Sequence, residues 1–362
     1  MSAAPTSTLP PTLHDWLGAH AEVLDHDASV AQQVLPQLAS AGLVRAGVPA
    51  NDGGDGRDIR AGIEAIAAVA EHSLTAAFVL WAQRAFAEYL LASPNAALRE
   101  RWLAPVLDGR EAGASGLSNA MKFLAGIESI QIQAVDSVGG WRIDGRLPWV
   151  TNLRRPAFVV AAMVGRGAGR PPAVVALGSD RRGLHRRPDL PLLALRGSNT
   201  AAIDIDGVEI DSAAIIHEDG PAFLRASRPG FLGLQCGMSI GLARASLATA
   251  SGCRADRNIL VPRIDATNAA LRDATTALYD GLRSGAFVAT AAPLFEIRIR
   301  LATIVQQAVQ LELQASGGRA YLVEPPSGFG RRWREAAFVP VITPSITQLQ
   351  AELQSHALAQ AA

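Results

Sequence analysis

Cysteine is scarce: Cys236 and Cys253 are the only two in 362 residues. Two thiols build neither a disulfide framework nor a four-thiolate zinc site. Lysine is scarcer still. Lys122 stands alone, so arginine carries nearly all the positive charge. Together with the abundant alanine, this usage reflects a GC-rich genome and lowers the value of any arginine cluster as a signal. Aromatic residues make up 5% of the chain, and Lys plus Arg balances Asp plus Glu at 33 each. A nucleic-acid binder carries a basic excess, and a net charge of zero argues against one. No apolar run reaches the ~20 residues of a membrane span. Met1–Pro11 shows no basic stretch followed by an apolar one, the mark of a secretory signal. The seven histidines fall at no metal-ligand spacing, and no metal site is expected. There is no phosphate-binding P-loop, no Ser-His-Asp arrangement and no Rossmann glycine fingerprint.

Hydrophobic residues reach 49% and charged residues only 18%. That is ample for a large core and excludes disorder as the main state. At roughly 100–200 residues per domain, two or three domains are expected, in a soluble, cytoplasmic, globular protein without membrane or nucleic-acid partners. From Leu13 to about Gly109 the apolar spacing is helical, and Ala61–Leu91 is apolar enough to be buried on more than one side. Asn51–Gly56 is a glycine-rich turn. Between Gly113 and Glu218 short β-type runs appear at Ser129–Ala134, Trp141–Ile143, Ala157–Val164, Ala173–Leu177 and Ala202–Ile205. Gly139-Gly140 and Asp144-Gly145 read as hairpin signals between them. Arg166–Pro172 reads as an exposed hairpin tip. Helices return from Pro221, over Phe231–Ala255, Pro262–Arg283, Pro293–Leu313 and Gln348–Ala362. The expected fold is mainly α with a central, antiparallel β-domain: helical residues 1–112, β residues 113–220 and a helical bundle over 221–362.

Trp149-Val-Thr-Asn152 follows Trp141-Arg-Ile-Asp-Gly-Arg146. An aromatic beside a hydroxyl and an amide can pack on a planar ligand and bond its edge. A buried Trp and a turn-forming Asn at a strand end is the plainer reading. The run resembles the flavin-contacting part of the acyl-CoA dehydrogenase family, and other stretches agree in order. Gly42–Gly56 looks like that family's N-terminal turn. Leu195–Thr200 with Ile205–Ile210 looks like its late β segment, and Gly241–Ala245 like its first C-terminal helix. The resemblance implies the helical, β-barrel-like and four-helix-bundle order of that fold.

It also implies FAD, with FMN or a diffusible reduced flavin as the alternative. Leu117 and Ser118 would lie at the flavin ring, with Ser118 where the family usually has a Thr. Trp149 would pack near the ring and Thr151 would bond near its reactive nitrogen. Arg257 matches an arginine that reaches the dinucleotide of a neighbouring subunit, and Gly317-Gly318 match a turn near the pyrophosphate. A Gly pair is equally natural as a helix C-cap. The Gly-Ser pair that holds the pyrophosphate in the family is missing after Ser118-Asn119, and Lys122 could supply charge there instead, or simply be a solvated loop lysine. The basic Arg181–Arg187 could meet a CoA phosphate or be an exposed turn. A homodimer or homotetramer, a small-molecule substrate such as an acyl thioester, and a partner flavin reductase are the further implied partners.

Desaturation of an acyl thioester needs a carboxylate base over the ring. The resemblance puts the usual base position near Thr343, with Ile342 and Pro344 around it, and the alternative position near Phe231. Neither holds an acid, and Glu335 matches an aspartate that is structural. A threonine hydroxyl cannot replace a carboxylate without activation. The expectation is therefore a flavin-dependent oxidoreductase that is not a standard desaturase. The alternatives are a two-component monooxygenase using reduced flavin and O2, with Ser118 beside the flavin, or a catalytically silent flavin- or ligand-binding homologue. The position where such monooxygenases carry a histidine reads Trp81-Ala-Gln-Arg84, and His72 lies earlier on that helical stretch.

Overall fold

The computed structural model describes residues 9–167, 169–253, 258–323 and 327–361. Five helices come first: α1 (Pro11–His26), α2 (Ala31–Ser40), α3 (Ile59–Ala70), α4 (Leu74–Ala92) and α5 (Ala96–Leu107). Their starts are set by side chains that satisfy free backbone N–H groups. Asp58 accepts from Arg60, Ser73 from Ala76 and Asn95 from Leu98. The apolar stretch 61–91 is broken at Ser73 into two helices. Both are buried nearly all round, as an apolar surface on every face requires.

Strand β1 (Ala112–Ser115) leads into a short helix α6 (Ser118–Leu124), where a loop was expected. Then come β2 (Gln133–Ser137), β3 (Gly140–Val150), β4 (Phe158–Val164), β5 (Ala173–Gly178), β6 (Leu184–Asp189), β7 (Ala201–Ile210) and β8 (Ile215–His217). They form two four-stranded sheets, ordered β1-β4-β5-β8 and β2-β3-β7-β6. Pairing is antiparallel except between β1 and β4, which run parallel. The expected strand at 129–134 starts later, because the Asn119 amide bonds Ser129 O and Gln131 N and takes them out of any ladder. Asp144-Gly145 is not a hairpin: it lies within β3, where a register shift against β7 marks a bulge. Gly139-Gly140 does turn β2 into β3. The Arg181–Arg187 stretch is half turn and half strand β6, where Arg186 bonds Leu153 O and Arg187 pairs with Asp204.

The C-terminal part holds α7 (Gly220–Gly252), α8 (Val261–Ser284), a single turn α9 (Ala286–Ala289), α10 (Ala292–Ser316), α11 (Phe329–Phe338) and α12 (Ile346–Ala361). Helix α7 is the axle of the molecule. Gly237 and Gly241 lie one turn apart on the face toward α3. A Cβ on Gly241 would stand 2.0 Å from Ala67 O, and one on Gly237 2.7 Å from Ile63 O. Only glycine lets the two backbones come this close. A partly buried ion pair spans the same junction: Arg244 donates to both oxygens of Glu64 at 2.8 and 3.1 Å, and the Tyr279 hydroxyl donates to Glu64 as well.

Among the described residues no helix is long and apolar enough to cross a membrane. Nor do any three His, Cys, Asp or Glu side chains there cluster as metal ligands.

Candidate active site

A cavity of about 600 Å³ opens where α4, the β1–α6 turn, the end of β3, α7 and the segment between α11 and α12 meet. Its size is that of a site for a cofactor-sized ligand. Residues distant in sequence converge on it. Leu117, Ser118, Trp149, Thr151, Phe231 and Thr343 all line it. The two places where the resemblance puts an acid therefore face one cavity, and neither carries one.

One wall is aromatic. Phe78 stacks on Trp81 with ring centres 5.4 Å apart, and meets Phe338 edge-on at 5.1 Å. Trp81 leans on Phe231 at 5.2 Å. Trp149 lines the cavity from the end of β3, yet is 59% exposed. So large an apolar surface in a cavity is a natural seat for a flat ring.

Much of the polar lining is hydroxyl. Ser118 Oγ and Thr343 Oγ1 lie 3.0 Å apart. Thr151 and Thr200 are 3.0 Å apart at their hydroxyls, and Thr200 is 2.8 Å from Ser198 Oγ. Each hydroxyl has one hydrogen. Two hydroxyls joined by one bond, or three joined by two, leave one O–H to offer a ligand. Ser115 on the same lining meets the Tyr89 hydroxyl at 3.0 Å, and complete burial pushes the Tyr89 phenol well up, so it stays neutral. Gln348 also lines the cavity, and its buried Nε2 has no hydrogen-bond partner. Such an unpaired donor costs stability unless a ligand accepts from it.

Behind Thr151 the wall is rigid. Asn152 adopts a left-handed φ of 64° and is fully buried. Its amide donates to Gln83 Oε1 at 2.7 Å and to Gly113 O at 2.9 Å. Gln83 in turn donates to Val106 O and Glu111 O, and so ties β3 to α4 and β1.

Among the described residues, Glu128 is the one carboxylate on the lining and Lys122 the one cation. They pair at 2.6 Å, and Asn119 donates to the other Glu128 oxygen at 3.1 Å. The Lys122 bond first, and then the Asn119 bond, hold the Glu128 carboxyl below its usual range. A carboxylate so held is a poor general base. Lys122 is thus a helix residue at the cavity, not a loop lysine.

The other expected residues lie elsewhere. Gly317, with φ 63°, caps the C-terminus of α10, and neither it nor Gly318 lines the cavity. A Cβ on Gly318 would meet no protein atom within 4 Å. Arg257 lies outside the described residues. Glu335 is fully buried away from the cavity: it accepts from Leu74 N at 2.9 Å and from Arg331 at 2.8 and 2.9 Å. His72 sits between α3 and α4, edge-on to His14, and not on the cavity. Phe78, Met121, Glu128 and Gln348 were not legible as site residues. The first two are ordinary core types, and nothing in the local sequence sets the last two apart.

Comparison with known proteins bears on the fold. The family described as acyl-CoA dehydrogenase, N-terminal domain, matches residues 13–110. No curated protein sequence matches the chain. Among solved structures, butyryl-CoA dehydrogenase from Megasphaera elsdenii superposes with a TM-score of 0.81 at 18% identity, covering 97% of this chain and 99% of that one. Nitrososynthase from Micromonospora carbonacea var. africana superposes with a TM-score of 0.78 at 21% identity, covering 99% of each chain. KijD3 in complex with FMN and dTDP-3-amino-2,3,6-trideoxy-4-keto-3-methyl-D-glucose gives 0.75 at 22% identity, covering 99% and 95%. The helix–β–helix architecture of the whole chain is the acyl-CoA dehydrogenase-like fold.

Proposed function

We propose that this chain, built on the acyl-CoA dehydrogenase-like fold, is a flavin-dependent oxidoreductase that acts without the carboxylate base of α,β-desaturation. The lining suits a flavin: an aromatic wall, an exposed Trp149, spare hydroxyl donors and the unpaired Gln348 amide. A bound flavin would supply the redox chemistry. Around it, Leu117 and Trp149 would hold the ring by apolar contact. Ser118 and Thr151 would each donate a hydrogen bond to its edge, and the aromatic wall would keep water out. Structural neighbours include PigA with FAD and KijD3 with FMN. The cavity lining does not choose between them, since Gly317 and Gly318, expected at a dinucleotide tail, do not line it.

The observation that carries the reading is the pair of empty base positions. Thr343 and Phe231 both face the cavity, and the one acid there among the described residues, Glu128, is held ionised by Lys122. Oxygen chemistry with reduced flavin needs a dry pocket and hydrogen-bond donors rather than an α-proton base. The Ser118–Thr343 pair gives that donor. The proposed reaction is monooxygenation of a small molecule, with the flavin reduced by a source other than that substrate, such as a partner reductase. Anaerobic titration with straight-chain and branched acyl-CoAs tests it. The protein should leave bound flavin oxidised with all of them. Bleaching by any one would restore desaturation and refute the reading.

A further inference from the structure

Four arginines are buried among the described residues: Arg84, Arg298, Arg331 and Arg332. Three face a carboxylate. Arg84 pairs with Glu88 at 2.7 Å, Arg331 with Glu335 at 2.8 Å, and Arg332 with Glu312 through two nitrogens. Arg298, on α10, is the exception. Its guanidinium is wholly buried and has no carboxylate within ion-pair distance among the described residues. Nε donates to Gln235 Oε1 at 2.8 Å and Nη2 to Val339 O at 2.7 Å, while Nη1 has no partner. The ionisable group beside it, the Cys236 thiol, is pushed up to about 12 by burial and is neutral. A guanidinium keeps its proton in proteins. Arg298 is therefore a fixed, uncompensated positive charge, an arrangement that costs stability wherever no anion repays it.

Its place says where that anion belongs. Gln235, which Arg298 holds by its oxygen, donates from Nε2 to Thr343 O at 3.0 Å. Val339 and Thr343 bracket the segment that carries Val341, Ile342 and Thr343 onto the cavity. Arg298 thus grips both ends of this wall, and its charge stands two hydrogen bonds behind Thr343. In a low-dielectric interior these bonds polarise one another and pass the positive potential on. Thr343, at the end of this hydrogen-bond chain, lines the cavity.

We propose that Arg298 is a positioning residue whose uncompensated charge makes the cavity prefer an anionic ligand, so that the site holds its flavin more tightly reduced than oxidised. This rests on the flavin reading above. The balance is simple: a flavin taking up two electrons and one proton gains one negative charge, and the oxidised ring is neutral. A fixed cation behind the wall stabilises only the charged form.

The test uses the full chain with FMN and FAD as probes. The Kd of each is measured oxidised and, under anaerobic conditions, chemically reduced, and the thermal midpoint of the ligand-free protein is recorded. Arg298→Met should lower the preference for reduced flavin at least tenfold, equivalent to about 30 mV in a two-electron potential, without lowering the thermal midpoint. Arg298→Lys should keep most of the preference. Gln235→Glu keeps the arginine but gives it a carboxylate, and should lose the preference as Arg298→Met does. An unchanged preference in folded Arg298→Met or Gln235→Glu overturns the proposal. Equal loss in Arg298→Lys and Arg298→Met, with both thermal midpoints lowered, overturns it too, because packing alone would then explain the effect. If the unmodified protein binds neither flavin in either state, the flavin reading itself fails and this one falls with it. If it binds both states equally, only this proposal fails.

Discussion

Ser118 and Thr343 are 225 residues apart in the chain and 3.0 Å apart at their hydroxyls. If this pair donates to a bound flavin, Ser118→Ala and Thr343→Val should each weaken reduced-flavin affinity by about fivefold, from roughly 1 kcal/mol per hydrogen bond. The double variant should lose less than the sum of the two, since the residues share one bond. Calorimetric titration of the three variants checks this, and full additivity would show that the pair does not act together. Lys122 offers a second check at this scale. As the chain's only lysine it is, apart from the N-terminus, the one site for an amine-reactive reagent, and it lines the cavity. Bound ligand should slow its labelling, read by peptide mass spectrometry, and unchanged labelling would place the ligand elsewhere. Trp149 and Thr151 were legible because they close a distinctive run. Phe78 was not, because an aromatic on a buried helix looks the same whether it faces the core or a cavity. Glu128 was hidden for a different reason: only the fold of α6 brings it to Lys122.

Helix α7 shows why element packing escapes sequence reading. Gly237 and Gly241 sit in a helix, where Gly→Ala normally gains up to about 1 kcal/mol of helix propensity. Here the added methyl of Gly241→Ala would press on Ala67 O. The substitution should instead destabilise by roughly 1–3 kcal/mol, the usual cost of overpacking, visible as a lower Tm. A Tm at or above the parent's would contradict the close approach of α3 and α7. At the α3–α4 junction His72 is half-buried beside His14 and near Arg331. Burial first, then the neighbouring His14 and Arg331, push its pKa below the ordinary histidine value. The unfolded chain then takes up the proton more readily than the native one. The neutral His72 contributes fully above about pH 6.5 and its contribution is lost as the pH falls below that value. His72→Gln should therefore flatten the decline in urea-unfolding stability between pH 7 and 5, and an unaltered slope would show that His72 titrates freely. Turn chemistry misled once. Asp144-Gly145 carries a hairpin signature but serves a bulge inside β3, since its neighbours on both sides pair with β7.

At the scale of the molecule, helical periodicity, short β runs and the order of family-like stretches made the helix–β–helix architecture readable. The cavity was readable only in part. It is built from segments of α4, β1–α6, β3, α7 and the α11–α12 connection, and which faces meet is decided by tertiary packing. The sequence could show that acids are missing from two places, while the structure shows that both places face one cavity. That coincidence is the centre of the functional account. It is tested most directly by comparing two reactions in the same preparation: anaerobic addition of acyl-CoAs to the flavin-loaded protein, and addition of O2 to the protein loaded with reduced flavin. No flavin bleaching is expected in the first and, in the second, reoxidation kinetics that differ from those of free reduced flavin. Bleaching by an acyl-CoA, or reoxidation no different from that of free flavin, would contradict the functional account.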